Sequence, residues 1–104
     1  MKPINTEENY RSTIEQDQPV IIKFHADWCP DCRRMDMFID DIMADYNQYQ
    51  WFDINRDELP SIAEEQQVMG IPSLLVFKNG EKLAHLHSAN AKTPEQVREF
   101  LSSL

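Results

Sequence analysis

The sequence predicts an α/β protein in which a mixed sheet carries helices on both faces. Two observations predict this class: apolar runs typical of buried strands alternate with segments of helical period, and an Asn79-Gly80 pair separates the last two strands. Alternating strands and helices favour parallel pairing, whereas a two-residue Asn-Gly turn favours an antiparallel hairpin. We therefore expect a parallel pair extended by a hairpin, within a single domain spanning 1–104.

The first half of the chain is expected to form helix, strand, helix and strand. Asn5 is the predicted N-cap of the first helix, because Glu8 three residues later completes a capping-box spacing. The apolar run Val20 to Phe24 is typical of a buried strand. After Cys32, apolar residues recur at steps of three and four, which indicates a helix. Aromatic and β-branched residues predict a second strand over Tyr49 to Ile54.

The second half is expected to form a short helix, the hairpin and a last helix. The short helix covers Asp57 to Gln67. The hairpin strands are Ser73 to Phe77 and Glu81 to His87. Thr93 begins the last helix as its N-cap, with a capping-box glutamine three residues later. The predicted buried stripe of that helix is Val97, Phe100, Leu101 and Leu104.

The two cysteines, Cys29 and Cys32, lie at the junction between the first strand and the helix after it. The unpaired N–H groups and positive dipole end of a helix N-terminus stabilise an anion. The pKa of a thiol there is expected to fall below its ordinary value of about 8.5. A second thiol one turn away can close a disulfide. The pair therefore predicts redox chemistry, with Cys29 the more exposed, low-pKa nucleophile and Cys32 shielded.

Other uses of a cysteine pair are less well supported. Zinc needs about four ligands, and His25, His85 and His87 do not form a spaced partner pair with the cysteines. A structural disulfide across two residues closes almost no loop, so it removes little unfolded-state entropy. A binding module that holds a metal or senses oxidation remains the alternative to an enzyme. We expect no cofactor and no metal.

The charge balance restricts the partners. Eighteen acidic residues against ten Lys and Arg give a net charge of −8, which argues against nucleic acid and anionic membranes. No apolar run approaches the length of about 20 residues that spans a bilayer, and no early segment resembles a signal peptide. A lone cysteine pair in such a chain is typical of a reducing compartment. We therefore expect a cytoplasmic protein, acting as a monomer.

Two motifs resemble the thioredoxin family. The first is Trp28-Cys29-Pro30-Asp31-Cys32, and the second runs from Gly70-Ile71-Pro72 to Asn79-Gly80. The resemblance covers almost the whole chain and implies a thioredoxin-like three-layer sandwich. It also implies a thiol–disulfide oxidoreductase that reduces disulfide-containing proteins or small disulfides, in which Cys29 attacks and Cys32 resolves. A flavoprotein disulfide reductase or low-molecular-weight thiols would return the electrons, and a glutaredoxin-like activity is the alternative.

Several residues around the cysteines carry further expectations. The resemblance implies a cis Ile71–Pro72 bond whose neighbouring backbone pairs with the substrate chain, although a proline starting a strand is otherwise ordinary. Trp28 is expected to lie partly exposed over the dithiol, with an ordinary core residue as the alternative. Pro30 stiffens the turn. Asp31 is expected to raise the Cys29 pKa, against the opposing charges of the arginines that follow Cys32, with an inert surface residue as the alternative.

The chain departs from the family pattern at three further positions. His25 stands where a second aromatic is usual, Met37 where a proline commonly kinks the helix, and Ser88 where a glycine flanks the substrate groove. Without that proline we expect a straighter helix. His87 is expected to line the groove, with an ordinary surface histidine as the alternative.

The fourth departure exchanges two charges. The family carries a buried acid six residues before the first cysteine and a lysine on the neighbouring strand, where this chain has Lys23 and Asp53. Because both lie in apolar strands, we expect a partly buried Lys23–Asp53 ion pair. Asp53 would then accept the Cys32 proton during resolution. Side chains that reach past the sheet and hardly interact are the alternative. Asp36, on the helix after Cys32, is expected on its solvated face.

Overall fold

The strands of the computed structural model, which describes all 104 residues, form one mixed sheet. They are β1 (Lys2–Pro3), β2 (Val20–His25), β3 (Gln50–Asn55), β4 (Ser73–Lys78) and β5 (Glu81–Leu86), in the order β1-β3-β2-β4-β5. The β1·β3 and β3·β2 pairs are parallel, and the β2·β4 and β4·β5 pairs are antiparallel. The predicted parallel pair and hairpin are confirmed. The two-residue strand β1 was not predicted, because so short a segment has no period.

Helices cover both faces of this sheet. They are α1 (Glu7–Ile14), α2 (Pro30–Asp36), α3 (Ile39–Asp45), α4 (Pro60–Glu65) and α5 (Pro94–Ser102), with a 3-10 turn at Ser88–Asn90. Helices α1 and α4 pack on one face, and α2, α3 and α5 pack on the other. The predicted three-layer sandwich is confirmed. No helix has both the length and the apolar character needed to cross a bilayer.

The central strand β2 is buried on both faces. Ile22 and Phe24 join the apolar cluster under α1 and α4, whereas Ile21 joins the cluster under α2, α3 and α5. Side chains alternate between the faces of a strand, so a strand covered on both sides is apolar at nearly every position, and Lys23 is the buried exception in β2. Each such side chain contributes about 1.5–3 kcal/mol of burial. Strand β2 ends at His25, four residues before Cys29.

Three helix boundaries correct the sequence prediction. Helix α1 is capped by Thr6 rather than Asn5, since the Thr6 hydroxyl accepts a hydrogen bond from the Asn9 backbone N–H at 3.0 Å. Helix α4 begins only at Pro60, because the residues before it form a turn in which backbone N–H groups donate to the Asn55 carbonyl. Helix α5 ends at Ser102, so Leu104 lies beyond it and is 45% exposed rather than part of the buried stripe.

The helix that follows the cysteines is not straight, although Met37 replaces the usual proline. Helix α2 ends at Asp36 and α3 begins at Ile39. The backbone N–H groups of Met37 and Phe38 donate to carbonyls three residues earlier, at 3.1 and 3.0 Å. Such tightened bonds end an α-helix with any side chain, so proline is not required for the break. The expectation of a straighter helix was wrong.

The hairpin turn is the one predicted from the sequence. Asn79 and Gly80 have φ values of 54° and 81°, the left-handed region that a type I′ turn requires at both central positions. Their backbone N–H groups donate to the carbonyls of Gln16, just after α1, and Ile14, its last residue, each at 2.8 Å. The turn thereby ties the hairpin to the first helix.

Candidate active site

The two cysteines lie at the start of α2, with Cα atoms 5.3 Å apart and their sulfurs joined in a disulfide. Cys29 is the N-cap residue, and its Sγ accepts a hydrogen bond from the Cys32 backbone N–H at 3.1 Å. Pro30 occupies the first helical position, where its missing N–H removes no helical bond. Both cysteines are 3% exposed, so the expected difference in exposure is absent. The two sulfurs are distinguished by the N-cap position of Cys29.

The second motif lies against the first. The Ile71–Pro72 bond is cis, as the resemblance implies. The Ile71 carbonyl oxygen is 3.7 Å from Cys29 Sγ, and Ile71 packs on a small cluster of Ala26 and the two cysteines. The fold therefore brings Ile71 into contact with Cys29, although the two residues are 42 positions apart in the sequence.

Trp28 is held at the surface by Asp57. The indole is 60% exposed, and its N–H donates to Asp57 Oδ2 at 2.8 Å. The Asp57 backbone N–H in turn donates to Asn55 Oδ1 at 2.9 Å. The exposure agrees with the expectation for Trp28. Asp57 gave no signal in the sequence, because its role depends on the turn between β3 and α4.

The carboxylate of Asp31 accepts hydrogen bonds from two cationic side chains. Its Oδ2 accepts a hydrogen bond from Lys92 Nζ at 2.7 Å, and its Oδ1 accepts one from Arg34 Nη1. The hydrogen bond from Lys92 is the main cause that holds the Asp31 pKa below its ordinary value, and the charges of Lys92 and Arg34 add to it. Asp31 is therefore ionised but compensated. Lys92 lies 61 residues away in the chain, so the sequence did not indicate this contact.

Lys23 and Asp53 do not form the expected ion pair. They are register partners on β2 and β3, but Lys23 Nζ pairs with Asp36 of α2, and Asp53 Oδ1 lies 3.0 Å from His25 Nε2. The long lysine stem reaches across to the helix, while the shorter aspartate meets His25, two residues further along β2. Asp36 is 60% exposed, as a solvated position requires, yet it is the partner of a lysine only 4% exposed.

These two pairs line one cavity of about 370 Å³ on the α2 side of the sheet. Its other lining residues are Met1, Ile39 and Asp40. His25 was noted in the sequence only as a departure from the family, and its pairing was not predicted. No group of three or more His, Cys, Asp or Glu side chains is arranged to hold a metal ion.

His87 is exposed and stacks on His85, with ring centroids 3.8 Å apart and an interplanar angle of 16°. Burial lowers the pKa of His85 to about 4, and the charges of His87 and Lys82 act in the same direction. The next residue, Ser88, lies so close to Gly70 that a Cβ added at Gly70 would clash with the Ser88 hydroxyl. This contact places the end of β5 beside the segment that leads into the cis bond.

The chain that carries this cysteine pair and cis-proline segment is similar to known proteins over almost its whole length. The Thioredoxin family model matches residues 2–103. The chain belongs to the thioredoxin family. Thioredoxin-1 of Saccharomyces cerevisiae is 33% identical over 92 residues, which cover 88% of this chain and 89% of that relative.

Solved thioredoxins share the fold over nearly the whole chain. A thioredoxin structure from Plasmodium falciparum aligns with a TM-score of 0.82 at 27% identity, covering 95% of this chain and 97% of that one. Oxidized mitochondrial thioredoxin 3 from Saccharomyces cerevisiae aligns with a TM-score of 0.87 at 23% identity, covering 100% and 95%. With its disulfide-forming pair, this member of the thioredoxin family is a thiol–disulfide oxidoreductase, a protein-disulfide reductase that acts on disulfide-containing substrates.

Proposed function

We propose that Cys29 is the attacking nucleophile and Cys32 the resolving thiol. The observation that carries this assignment is the 3.1 Å hydrogen bond from the Cys32 backbone N–H to Cys29 Sγ at the first turn of α2. In the dithiol form the same N–H and the positive end of the helix would stabilise a Cys29 thiolate. That stabilisation lowers the thiol pKa and makes the thiolate available near neutral pH.

The reaction transfers two electrons from the dithiol to the substrate. The Cys29 thiolate attacks one substrate sulfur, the substrate S–S bond breaks, and the leaving thiolate takes up a proton. Cys32 then loses its proton and attacks Cys29 Sγ, which releases the second substrate thiolate. The products are a reduced substrate and the Cys29–Cys32 disulfide, and this structure holds the cysteines in that oxidised form.

The proposed substrate groove borders the Cys29 sulfur. The backbone at Ile71 would pair with an extended substrate chain, since its carbonyl lies 3.7 Å from Cys29 Sγ. The exposed Trp28 indole and Pro30 would flank the attacked disulfide. His87 would border the other end, supported by the contact of its neighbour with Gly70.

The proposed acceptor of the Cys32 proton is Asp53 acting together with His25. Asp36 lies one helical turn after Cys32 and lines the same cavity as the His25–Asp53 pair. A proton released at the start of α2 could reach that pair through water in the cavity. In this arrangement Lys23 is the partner of Asp36 rather than of Asp53.

A flavoprotein disulfide reductase or low-molecular-weight thiols would reduce the Cys29–Cys32 disulfide and complete the cycle. A chain whose cysteines all serve catalysis suits a reducing compartment, and we propose the cytoplasm, although one similar structure is mitochondrial. We propose that the chain acts as a monomer, which light scattering at assay concentration tests.

The cysteine assignment is tested with the paired variants Cys29→Ser and Cys32→Ser, which make the same chemical change at neighbouring positions. Both should lose multiple-turnover reduction of a protein disulfide. Only Cys32→Ser should accumulate a mixed disulfide, because it retains the nucleophile and lacks the resolving thiol. Accumulation in Cys29→Ser instead would reverse the assignment. Comparing NADPH plus a flavoprotein reductase with glutathione as the electron source distinguishes a thioredoxin-type from a glutaredoxin-like cycle.

A further inference from the structure

Lys92 reaches the active-site turn from the far end of the chain. It precedes α5, and its Nζ donates to Asp31 Oδ2 at 2.7 Å. The second Asp31 oxygen accepts a hydrogen bond from Arg34, so both oxygens of this carboxylate bear a cation. Asp31 lies between Cys29 and Cys32 and is only about one-third exposed, with a relative side-chain exposure of 33%.

The backbone of Lys92 is fixed by the N-terminal cap of α5. The Gln96 side chain accepts from the backbone N–H groups of Lys92 and Thr93, at 2.8 and 3.1 Å. The Thr93 hydroxyl accepts from the Gln96 backbone N–H at 3.2 Å, which completes the capping box. The preceding Ala91 is 2% exposed. Little backbone freedom is therefore lost when Lys92 pairs with Asp31, in contrast to a pair between two mobile surface side chains.

We propose that Lys92 is a positioning residue of the dithiol, which pairs with Asp31 and so offsets a negative charge that would otherwise destabilise the Cys29 thiolate. This inference rests on the proposed role of Cys29 as the nucleophile. A carboxylate beside a thiol favours the neutral thiol, and a cation held on that carboxylate reverses part of the effect. A compensated Asp31 can remain in the turn without lowering the thiolate fraction.

Two other charged residues near the turn, Arg33 and Asp57, have partners other than Asp31. The Arg33 guanidinium donates to the Asp27 backbone carbonyl at 2.7 Å, and Asp57 accepts from the Trp28 indole. Neither of these contacts involves Asp31. Arg34 shares Asp31 with Lys92, but it lies on α2 itself, three residues further on. Lys92 is the cation that links the turn to another part of the fold.

The role of Lys92 is expected to depend on Asp31. With the carboxylate present, the ammonium is held within hydrogen-bond distance of the turn. With Asn at that position, a side chain that is already 42% exposed has no charged partner and extends into water, where its effect on Cys29 is screened. A charge acting directly on the sulfur from its own position would not show this dependence.

The experiment measures the pH dependence of Cys29 alkylation in the reduced protein, its Lys92→Met and Asp31→Asn variants and the double variant. Tandem mass spectrometry assigns the adduct to Cys29 or Cys32. We expect Lys92→Met to reduce the thiolate fraction at neutral pH about two- to fivefold. In the Asp31→Asn background the same change should have almost no effect. Equilibration with glutathione should show a correspondingly more reducing dithiol in Lys92→Met.

Two further variants serve as controls. Arg98→Met removes the same charge from a pair of similar length, between α5 and Asp45 of α3, whose cation is about as exposed as Lys92, and it should leave Cys29 alkylation unchanged. Lys92→Arg retains the cation and should preserve the wild-type profile.

Two outcomes would overturn the proposal. An equal shift in both Asp31 backgrounds would make Lys92 a direct charge, and no shift in either would make the pair an ordinary surface contact. Alkylation needs no substrate, so adducts that form first on Cys32 would refute the proposed cysteine roles separately.

Discussion

Lys23 and Asp53 face each other in register on two parallel strands, yet each is paired with a different residue. Lys23 pairs with Asp36 on α2, and Asp53 pairs with His25 on β2. The two pairs differ in burial, because Lys23 is almost fully buried while Asp36 is largely exposed. Removing one partner is therefore not equivalent to removing the other.

Asp36→Asn is expected to destabilise the protein more than Lys23→Met does. The first change leaves a buried ammonium without its counter-charge, which costs about 1–3 kcal/mol. The second leaves an exposed carboxylate and replaces a buried charge with an apolar chain of similar length, at a cost below about 1 kcal/mol. Urea unfolding measures both free energies. Adding Lys23→Met to Asp36→Asn should recover most of the loss.

Asp40→Asn is the matched control for this series, since Asp40 lines the same cavity but forms no ion pair. It should change the free energy of unfolding by less than about 0.5 kcal/mol. Lys23→Met and Asp53→Asn should now be additive in stability, because they belong to separate pairs. Strongly non-additive free energies of unfolding would instead support the direct Lys23–Asp53 pair that the sequence predicted.

Asp53→Asn and His25→Gln are expected to slow turnover at the resolution step. If the pair accepts the Cys32 proton, each change should lower the reductase rate about tenfold, less than full general-base catalysis because water relays the proton. Rapid-quench kinetics should show normal formation of the mixed disulfide and its slower decay. If the mixed disulfide decays at the wild-type rate in both variants, or if Asp40→Asn slows its decay equally, the His25–Asp53 pair does not accept the proton.

Gly70→Ala is expected to disturb the groove through Ser88. The new Cβ would meet the Ser88 side chain, which should lower the free energy of unfolding by about 1 kcal/mol. The reduction rate of protein substrates should fall more than that of small disulfides. Ser88→Gly removes the obstructing atoms and should rescue Gly70→Ala in both measurements. Persistence of the defect in the double variant would show that Gly70 is needed for a reason other than this contact.

The sequence was sufficient for the features that depend on local pattern. The apolar run of β2, the Asn79-Gly80 turn and the capping box at Thr93 each depend on a few neighbouring residues, and the structure has all three. The redox role of the cysteine pair followed from its spacing and position, and the cis Ile71–Pro72 bond was implied by the resemblance to the thioredoxin family.

The missed features depend on which side chains meet across the fold. Strand order could place Lys23 beside Asp53, but the partner that each selects depends on the reach of the lysine stem and on the position of α2. The Lys92 contact with Asp31 joins segments 61 residues apart, and no periodicity or motif connects them. The break at Met37 arises from backbone hydrogen bonds that any residue can make.

The ring of His85 is expected to stay neutral down to about pH 4. Lys82 Nζ lies 3.1 Å from Nδ1, which must be unprotonated to accept its hydrogen bond, and Nε2 is buried without a partner. A second proton would break the bond from Lys82 and place a charge beside an ammonium.

The sign of the stability effect follows from that lowered pKa. Between about pH 6.5 and pH 4 the unfolded chain binds a proton at His85 that the folded protein excludes, so the free energy of unfolding falls as pH falls through this range. After allowance for partial exposure, the loss should be about 1 kcal/mol. His85→Gln should flatten this part of the pH profile. In an NMR titration, His87→Gln should raise the His85 midpoint from about 4, yet leave it below 6.5, because burial is the larger cause. A wild-type midpoint near 6.5 would refute both the neutral ring and its contribution to acid destabilisation.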